Sequence, residues 1–427
     1  MLLIRLLEKG FCILSLLFFT DAILPNVNEV SGLNTAPLKL VLSNGITIIS
    51  IFLIFVRYKK VFHVVIREKF LWIIVGIALA SMFWSDVPVS TLRGGIFLLQ
   101  TTLFGVYLAA RYSLNEQLRL LAWTFGIVVL LSIVFALALP SYGVMTVQEG
   151  GAHEGAWRGI YVHKNGLGRM MVLSAVVFLL SATNSRRYRW VAWAGFGLSI
   201  AIIVLSTSKT ALAILLTIIV LLPFYKALRW NYSLAVPFFI TVILVGAGVA
   251  ILLISNAEAI LGAFGRDLTF TGRTELWAVV LHKIWERPWL GYGYGGFWRG
   301  WEGESAQVLR IVRWEAPHSH NGFLDLWLDL GLLGLSAFAL SFLAVCLRAV
   351  TCLRLTKTSE GLLPLAYLTF LLLANLTESS LLRQNSLWIL YVVVTFSTHK
   401  MTVNKMKSNV FGGQKKKMKL REPIHEI

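Results

Sequence analysis

The sequence contains few charged residues and few cysteines for its length. Only 14% of its 427 residues are Asp, Glu, Lys or Arg, whereas 57% are hydrophobic and the mean hydropathy is +0.73. This composition excludes an ordinary water-soluble globular protein, in which about a quarter of the residues are charged. The three cysteines, Cys12, Cys346 and Cys352, form no CxxC spacing, so the sequence implies neither a disulfide framework nor a cysteine-based metal site.

Long apolar runs recur from one end of the chain to the other. A helix needs roughly 20 apolar residues to cross a bilayer at a rise of about 1.5 Å per residue. About twelve runs come near this length: 10–24, 39–56, 70–84, 94–110, 120–139, 166–182, 190–206, 210–224, 234–254, 322–346, 362–377 and 387–398. The sequence therefore predicts an all-α polytopic membrane protein, a single domain over 1–427 with about twelve transmembrane helices.

The basic residues between these runs are distributed unevenly. Short loops that are rich in Lys and Arg remain in the cytoplasm. With the N-terminus inside, about fifteen basic residues fall in inward loops, whereas the short outward loops hold only Arg93, Arg158, Lys164, Lys209 and Arg383. The basic tail, 399–427, then lies in the cytoplasm beside anionic lipid, which explains much of the net charge of +18 without a nucleic-acid partner.

One outward connection is much longer than the others. Residues 255–321 lie between the ninth and tenth predicted helices and are rich in Trp, Gly and Arg. A long loop with this many aromatic residues is expected to fold over the outer membrane face and to carry function. Within it, TELWAVVLHKIWERP predicts a short amphipathic helix that stops at Pro288, with an apolar stripe made of Leu276, Trp277, Val280, Leu281, Ile284 and Trp285.

Two histidines close this loop directly in front of an apolar helix. His318 and His320 belong to the stretch APHSHNGFLDLWLDLGLLG and lie at the predicted outer membrane surface. A neutral imidazole is well suited to accept a proton from a sugar hydroxyl near neutral pH. Two other uses stay open at this point: a structural role, and a zinc site shared with His153 and His163, for which no cysteine partner or HxxxH spacing is present.

Two aspartates follow the histidines inside the same predicted helix. Asp325 and Asp329 lie four residues apart and therefore share one helix face. Acidic groups near a membrane helix are costly enough to suggest a use. We expect them to support the helix N-terminus or to orient a histidine of the loop.

The residues at the end of the loop also form a recognisable pattern. His320 and Asn321 are followed, after nine residues, by Gly331 and then by Gly334, giving H-N-x9-G-x-x-G. This pattern resembles the signature of the O-antigen ligase and polysaccharide polymerase superfamily of bacterial membrane glycosyltransferases. Further segments resemble the family in family order: WSDVPVSTLRG, RGIYVHKNGLG, STSKTA, GRTELW and PWLGYGYGGFW. HKNGLG, GRTELW and PHSHNG together most resemble the branch involved in exopolysaccharide production.

The resemblance implies an enzyme of the bacterial cytoplasmic (inner) membrane whose active site faces the periplasm or exterior. Such an enzyme transfers or polymerises glycan repeat units from a polyprenyl (undecaprenyl) pyrophosphate carrier onto an acceptor hydroxyl, with no cofactor and no metal. An O-antigen ligase that attaches the glycan to lipid A core is an alternative, and a transporter or flippase of the lipid-linked glycan is an alternative from another class. Besides the donor, the acceptor and membrane lipids, other polysaccharide export and assembly proteins are expected partners.

The resemblance also implies roles for particular residues. His320 matches the proposed family base, and Arg273 matches a family arginine that would stabilise the leaving pyrophosphate. Arg158 also resembles a family arginine, and Lys209 stands where the family usually has arginine, which keeps the charge but loses the bidentate fork. The expected substrate-binding set therefore contains Arg158 and Lys209 together with His318, Asn321, His163 and Lys164.

We predict that residues 255–321 lie outside the membrane and that both termini lie inside, because the basic residues gather in the inward loops. With Gly303→Cys, a membrane-impermeant maleimide should label the protein in intact cells, whereas Gly412→Cys should be protected. Protection at position 303 together with labelling at position 412 would contradict both this topology and a reaction at the outer face.

Overall fold

Helices account for nearly all the regular structure of the chain. The computed structural model describes residues 2–58, 65, 68–146, 153–184, 187–231, 233–234 and 273–419. In chain order the helices are α1 (Leu2–Phe18), α2 (Ile23–Ser31), α3 (Ala36–Val56), α4 (Lys69–Ala80), α5 (Pro88–Arg111), α6 (Leu114–Ala138), α7 (Pro140–Gly143), α8 (Lys164–Asn184), α9 (Arg189–Leu205), α10 (Lys209–Ala227), α11 (Arg273–Glu286), α12 (Gly303–Val312), α13 (Gly322–Leu355), α14 (Leu363–Asn375) and α15 (Ser386–Lys419). Within the described ranges there is no β-strand, and one isolated bridge pairs Val144 with Trp157.

Six of the described helices, α3, α5, α6, α8, α10 and α13, are long and apolar enough to cross a bilayer. Shorter apolar helices lie at Lys69–Phe83, Arg189–Leu205 and Ser359–Asn375. The prediction of a helical polytopic membrane protein is therefore confirmed, whereas the count of about twelve spans stays a prediction. Nearly all of the predicted ninth span, 234–254, and the first part of the long loop, 255–272, lie outside the described residues.

Several helix boundaries differ from those expected from hydropathy. The first predicted span, 10–24, is divided between α1 and α2, because the chain turns at Asp21, where φ is 57°. The helix α13 continues to Leu355, and α15 continues to Lys419, so residues 399–419 of the predicted basic tail are helical. Hydropathy detects the apolar part of a helix, whereas backbone hydrogen bonding extends into the polar part.

A glycine contact brings α5 and α15 close together. A Cβ atom at Gly105 would lie 2.8 Å from Cβ of Val392 and 3.1 Å from the backbone oxygen of Ile389. Membrane helices use small residues for such approaches, since lipid gives them little hydrophobic drive to associate. Because α15 begins at Ser386, this contact anchors one end of the segment 376–385, which carries part of the candidate site.

Buried ion pairs join the helices at the end of the bundle that is remote from the start of α13. Glu68, before α4, accepts hydrogen bonds from both terminal guanidinium nitrogens of Arg348, at 2.6 and 2.9 Å. Glu8 pairs with Arg57 at 2.8 Å and with Arg111 at 3.0 Å. Arg348 lies about 25 Å beyond Gly331 along α13, and the start of the helix lies before Gly331. These clusters therefore lie far from the groups described below.

The described part of the long loop, 273–321, forms a small folded unit beside α13. Leu276, Val280 and Ile284 of α11 are buried in one apolar cluster with Val308 and Leu309 of α12. The buried stripe on α11 is narrower than expected from the sequence, because Leu281 is 38% exposed and Trp285 is 66% exposed. This unit holds the start of α11 in place, and α11 begins at Arg273.

The first glycine of the signature allows this unit to dock on α13. Gly331 interrupts the helix with φ 64° and ψ −169°, and a Cβ atom there would lie 2.1 Å from the backbone oxygen of Trp289. The backbone N–H groups of Leu332 and Leu333 donate to the carbonyls of Pro288 and Trp289, at 2.8 and 3.2 Å. A side chain at position 331 would therefore separate the loop from the helix.

Candidate active site

Segments that are far apart in sequence meet at the start of α13. Glu378, in the segment between α14 and α15, lies at their centre. Its carboxylate is 3.5 Å from Nδ1 of His320, 3.9 Å from Nε2 of His318 and 3.8 Å from a terminal nitrogen of Arg273. The side-chain amide of Asn165, on α8, donates to the same carboxylate at 3.2 Å. The structure thus brings the predicted base and the predicted arginine to one acid.

His320 occupies a strained position directly before a helix cap. Its φ is 53°, in the left-handed region, which costs a residue with a side chain roughly 1–2 kcal/mol and which recurs at functional sites. Asn321 caps α13, and its side-chain oxygen accepts hydrogen bonds from the backbone N–H groups of Phe323 and Leu324 at 3.0 and 3.3 Å. In this conformation the side-chain oxygen of Asn321 serves the helix, so its predicted contact with substrate stays a prediction.

Hydrogen bonding indicates which nitrogen of each histidine carries the proton. The backbone N–H of His320 donates to Nδ1 of His318 at 3.1 Å, so neutral His318 carries its proton on Nε2, towards Glu378. Burial, followed by repulsion from His320, lowers the pKa of His318 to about 4, so this residue is neutral near pH 7. Nδ1 of His320 faces the carboxylate, which places the proton on Nδ1 and leaves Nε2 as the acceptor.

Glu378 carries a negative charge at neutral pH. Burial alone would raise the pKa of this carboxyl, but the adjacent imidazole of His320 and the nearby charge of Arg169 lower the pKa to about 2. An ionised carboxylate at Nδ1 stabilises the imidazolium that forms when Nε2 accepts a proton. The 3.5 Å separation is long for a hydrogen bond, as is common for catalytic contacts before substrate binds.

Asp325 connects the histidine segment to the Glu378 segment. Its Oδ1 accepts from the backbone N–H of Ser319 at 3.2 Å and from Nε1 of Trp298 at 2.9 Å, and its Oδ2 accepts from the hydroxyl of Ser379. Ser319 lies between the two histidines and Ser379 directly follows Glu378. One carboxylate therefore holds both segments, which matches the orienting role expected for this aspartate.

Three further predicted residues surround the starts of α8 and α10. Nζ of Lys164 donates to Oγ1 of Thr207 at 3.0 Å, and Lys209, the first residue of α10, is exposed and close enough for its charge to act on Lys164. Nδ1 of His163 accepts from the backbone N–H of Asn165 at 3.2 Å, and burial lowers the pKa of His163. Two cations beside two helix N-termini form a favourable environment for an anion.

Arg158 is engaged with backbone groups. It is 1% exposed, and its guanidinium donates to the carbonyls of Ser141, Tyr142 and Val162 at 2.9, 2.9 and 3.4 Å. These contacts hold the chain that leads from α7 to α8. The predicted contact between Arg158 and substrate stays a prediction, since this conformation commits several of its donors to the fold.

The zinc alternative requires several histidines to offer ligand atoms at one point. Candidate ligand atoms of His318, His320 and Glu378 lie within 4.8 Å of one another, whereas His153 pairs with His163 at a ring separation of 6.0 Å. Within the described ranges, the four histidines do not form one ligand group. A metal would also have to displace the proton from Nε2 of His318, the nitrogen that faces the carboxylate. His318, His320 and Glu378 are therefore the residues that would hold a metal, and catalysis without a metal stays a prediction.

The importance of Glu378 is not apparent from motif analysis. The residue directly follows the predicted span 362–377 and precedes the predicted span 387–398, so it falls in a connection that the predicted topology places outside. An acidic side chain beside a membrane span is costly and therefore informative, particularly in a chain with only 21 acidic residues. Arg169, one turn into α8, is a second charged neighbour that the motifs do not identify.

Two comparisons with known proteins concern the chain as a whole. Residues 194–339 match the family described as O-antigen ligase. The resemblance to the O-antigen ligase superfamily is confirmed. The chain is also similar to the exopolysaccharide production protein ExoQ of Rhizobium meliloti (strain 1021), with 27% identity over 340 residues that cover 73% of this chain and 74% of ExoQ. The O-antigen ligase match contains Lys209, Arg273 and both loop histidines, whereas Glu378 follows it.

Replacement of Glu378 tests whether the carboxylate contributes to catalysis by His320. We expect Glu378→Gln to lower the rate of glycan transfer by roughly 10²-fold or more, because an amide does not stabilise the imidazolium. Glu315→Gln, at an exposed glutamate of the long loop 255–321, is the control and should keep its activity. Initial rates of the purified, folded variants measure the effect. A wild-type rate for Glu378→Gln would remove this residue from the catalytic pair.

Proposed function

We propose that the protein is a membrane glycosyltransferase that polymerises or transfers glycan repeat units from a polyprenyl (undecaprenyl) pyrophosphate carrier in exopolysaccharide biosynthesis. The observation that carries this proposal is the pairing of His320 with Glu378 beside Arg273. The similarity to O-antigen ligases and to an exopolysaccharide production protein supports it. The proposed location is the bacterial cytoplasmic membrane, with the active site on the outer side.

The proposed reaction is a single displacement assisted by a general base. Nε2 of His320 accepts the proton of an acceptor hydroxyl while the hydroxyl oxygen attacks the anomeric carbon of the donor. The new carbon–oxygen bond forms as the bond between that carbon and the phosphate oxygen breaks, and the electron pair leaves with the pyrophosphate. Glu378 stabilises the imidazolium, and the proton then passes to water, which restores the base.

The leaving pyrophosphate requires nearby positive charge. Arg273 is 3.8 Å from Glu378, and its guanidinium carries five N–H donors, more than that contact uses. Lys164 and Lys209 add positive charge at the N-termini of α8 and α10. A charge pair about 4 Å apart is worth about 4 kcal/mol at an effective dielectric constant near 20, which is large enough to change a reaction barrier substantially.

The position of the charged groups favours this proposal over a transporter. Transporters place ionisable groups near the membrane midplane, on broken helices that line a pathway. Here the site gathers groups at the starts of α8, α10, α11 and α13. An O-antigen ligase would use the same groups with a different acceptor, and the relative in exopolysaccharide production favours the polymerase. Deletion of the gene should therefore cause single lipid-linked repeat units to accumulate.

The base assignment makes a direct prediction. His320→Ala should remove nearly all transfer, since loss of a general base costs roughly 10²–10⁴ in rate, while the protein remains folded and inserted. His318→Ala should have a milder effect, through the geometry of the loop. Both variants are compared at equal thermal stability, with lipid-linked repeat units as substrate and with a chelator present. A wild-type rate for His320→Ala, or activity that chelation abolishes, would overturn the proposed metal-free mechanism.

The proposed role of Arg273 at the leaving pyrophosphate gives a second prediction. Arg273→Ala should nearly abolish transfer, and Arg273→Lys should recover only part of it, because lysine keeps the charge but not the planar fork. Lys209→Arg should be tolerated, since it restores the residue usual in the family. The amounts of long glycan and of single lipid-linked units, at matched protein levels, report the result. Normal product from Arg273→Ala would assign that arginine to anchoring alone.

A further inference from the structure

Trp314 presents an aromatic ring to solvent directly beside the proposed base. The residue is 36% exposed, and the centroid of its ring lies 5.8 Å from that of His320, with 35° between the two planes. It is part of the short segment between α12 and the histidines. No motif or family match assigns it a role.

The chain holds this ring in place at some energetic cost. Arg313 ends α12 with φ 61°, a left-handed conformation that disfavours a side chain. Val312 and Ala316, on either side of the turn, are buried in the apolar cluster of the loop, and the N–H of Ala316 donates to the carbonyl of Trp314 at 3.1 Å. The turn is therefore anchored at both ends, yet it leaves a large apolar side chain partly in water.

Other exposed tryptophans of the loop lie in different surroundings. Trp285 packs against Trp327 of α13 at 5.8 Å, and Trp289 lies against the break at Gly331. These positions along a membrane helix are typical of an interfacial aromatic belt. Trp314 instead contacts the imidazole of His320, so the interfacial explanation does not extend to it.

The residues of the site are linked by a chain of pairwise contacts. Trp314 lies next to His320, His320 next to Glu378, and Glu378 next to Asn165, whose neighbour in sequence is Lys164. The aromatic ring therefore adjoins the base, whereas the arginine and the Asn165 amide adjoin the carboxylate of Glu378. Pyrophosphate, the charged part of the donor, belongs on the cationic side, which leaves the aromatic side for the molecule that carries the attacking hydroxyl.

We propose that Trp314 is the binding platform for the acceptor, a hexopyranose ring that presents a face of C–H groups. The inference rests on the proposed transferase function. An aromatic face packs on such a sugar face at about 3.5–4.0 Å, while the hydroxyl must reach within about 2.6–3.2 Å of Nε2. A ring separation of 5.8 Å allows one sugar to meet both conditions. The stacked acceptor holds its hydroxyl at the base for attack on the donor.

The test separates acceptor binding from catalysis. Oligosaccharides released by mild acid from the exopolysaccharide of the host serve as acceptors, and lipid-linked repeat units serve as donors. Trp314→Ala should raise the acceptor KM by roughly tenfold or more, with the donor KM unchanged and most of kcat kept. Trp314→Phe should recover much of the affinity. Trp301→Ala removes a tryptophan of the same loop that is 55% exposed, and it should behave as wild type.

Titration calorimetry with the same oligosaccharides gives a readout that does not depend on turnover. Loss of oligosaccharide binding in Trp314→Ala but not in Trp301→Ala supports the platform even if the wild-type protein transfers no glycan, a result that would defeat only the proposed function. Unchanged oligosaccharide affinity, or a fall in kcat with an unchanged acceptor KM, would overturn the platform while leaving the transferase proposal in place.

Discussion

The candidate site depends on one contact, between the carboxylate of Glu378 and Nδ1 of His320. This carboxylate stays ionised in spite of burial because imidazole and guanidinium groups surround it. The same charge defines which nitrogen of His320 is protonated and which is free to accept a proton. His318, Arg273 and Asn165 all approach the same two oxygens, so the position of each group is coupled to the others.

Of the signature residues around this contact, one faces the acid and the others hold the backbone in position. His320 faces the acid, whereas Asn321 caps α13 and Gly331 admits the loop backbone to the helix. Position 322 also has no room for a side chain, because a Cβ atom there would lie 2.3 Å from Oδ1 of Asn375 at the end of α14. The spacing of the motif therefore follows from the packing of a loop, the start of α13 and the end of α14. Asp325 completes this scaffold by bonding to residues adjacent to both His320 and Glu378.

The two ends of the bundle use charge differently. At the remote end, the buried carboxylates of Glu8 and Glu68 pair with arginines and so join helices. At the end that holds the site, cations outnumber the acid they surround, and two helix N-termini add partial positive charge. That excess suits an anionic lipid-linked donor, in agreement with the similarity to O-antigen ligases.

The sequence by itself determined the membrane class, most of the helices and the superfamily resemblance, and it predicted a histidine and an arginine that the structure brings near one another, because hydropathy and motif spacing are local properties of the chain. Only the tertiary structure identified Glu378 as the partner of His320, since the two residues are brought together by the packing of α13 against α14. It also showed that Arg158 is held by backbone carbonyls and that Trp314 lies beside His320, and the sequence indicates neither contact. A side chain acquires its electrostatic surroundings from elements that are distant along the chain, and residue order alone does not specify those surroundings.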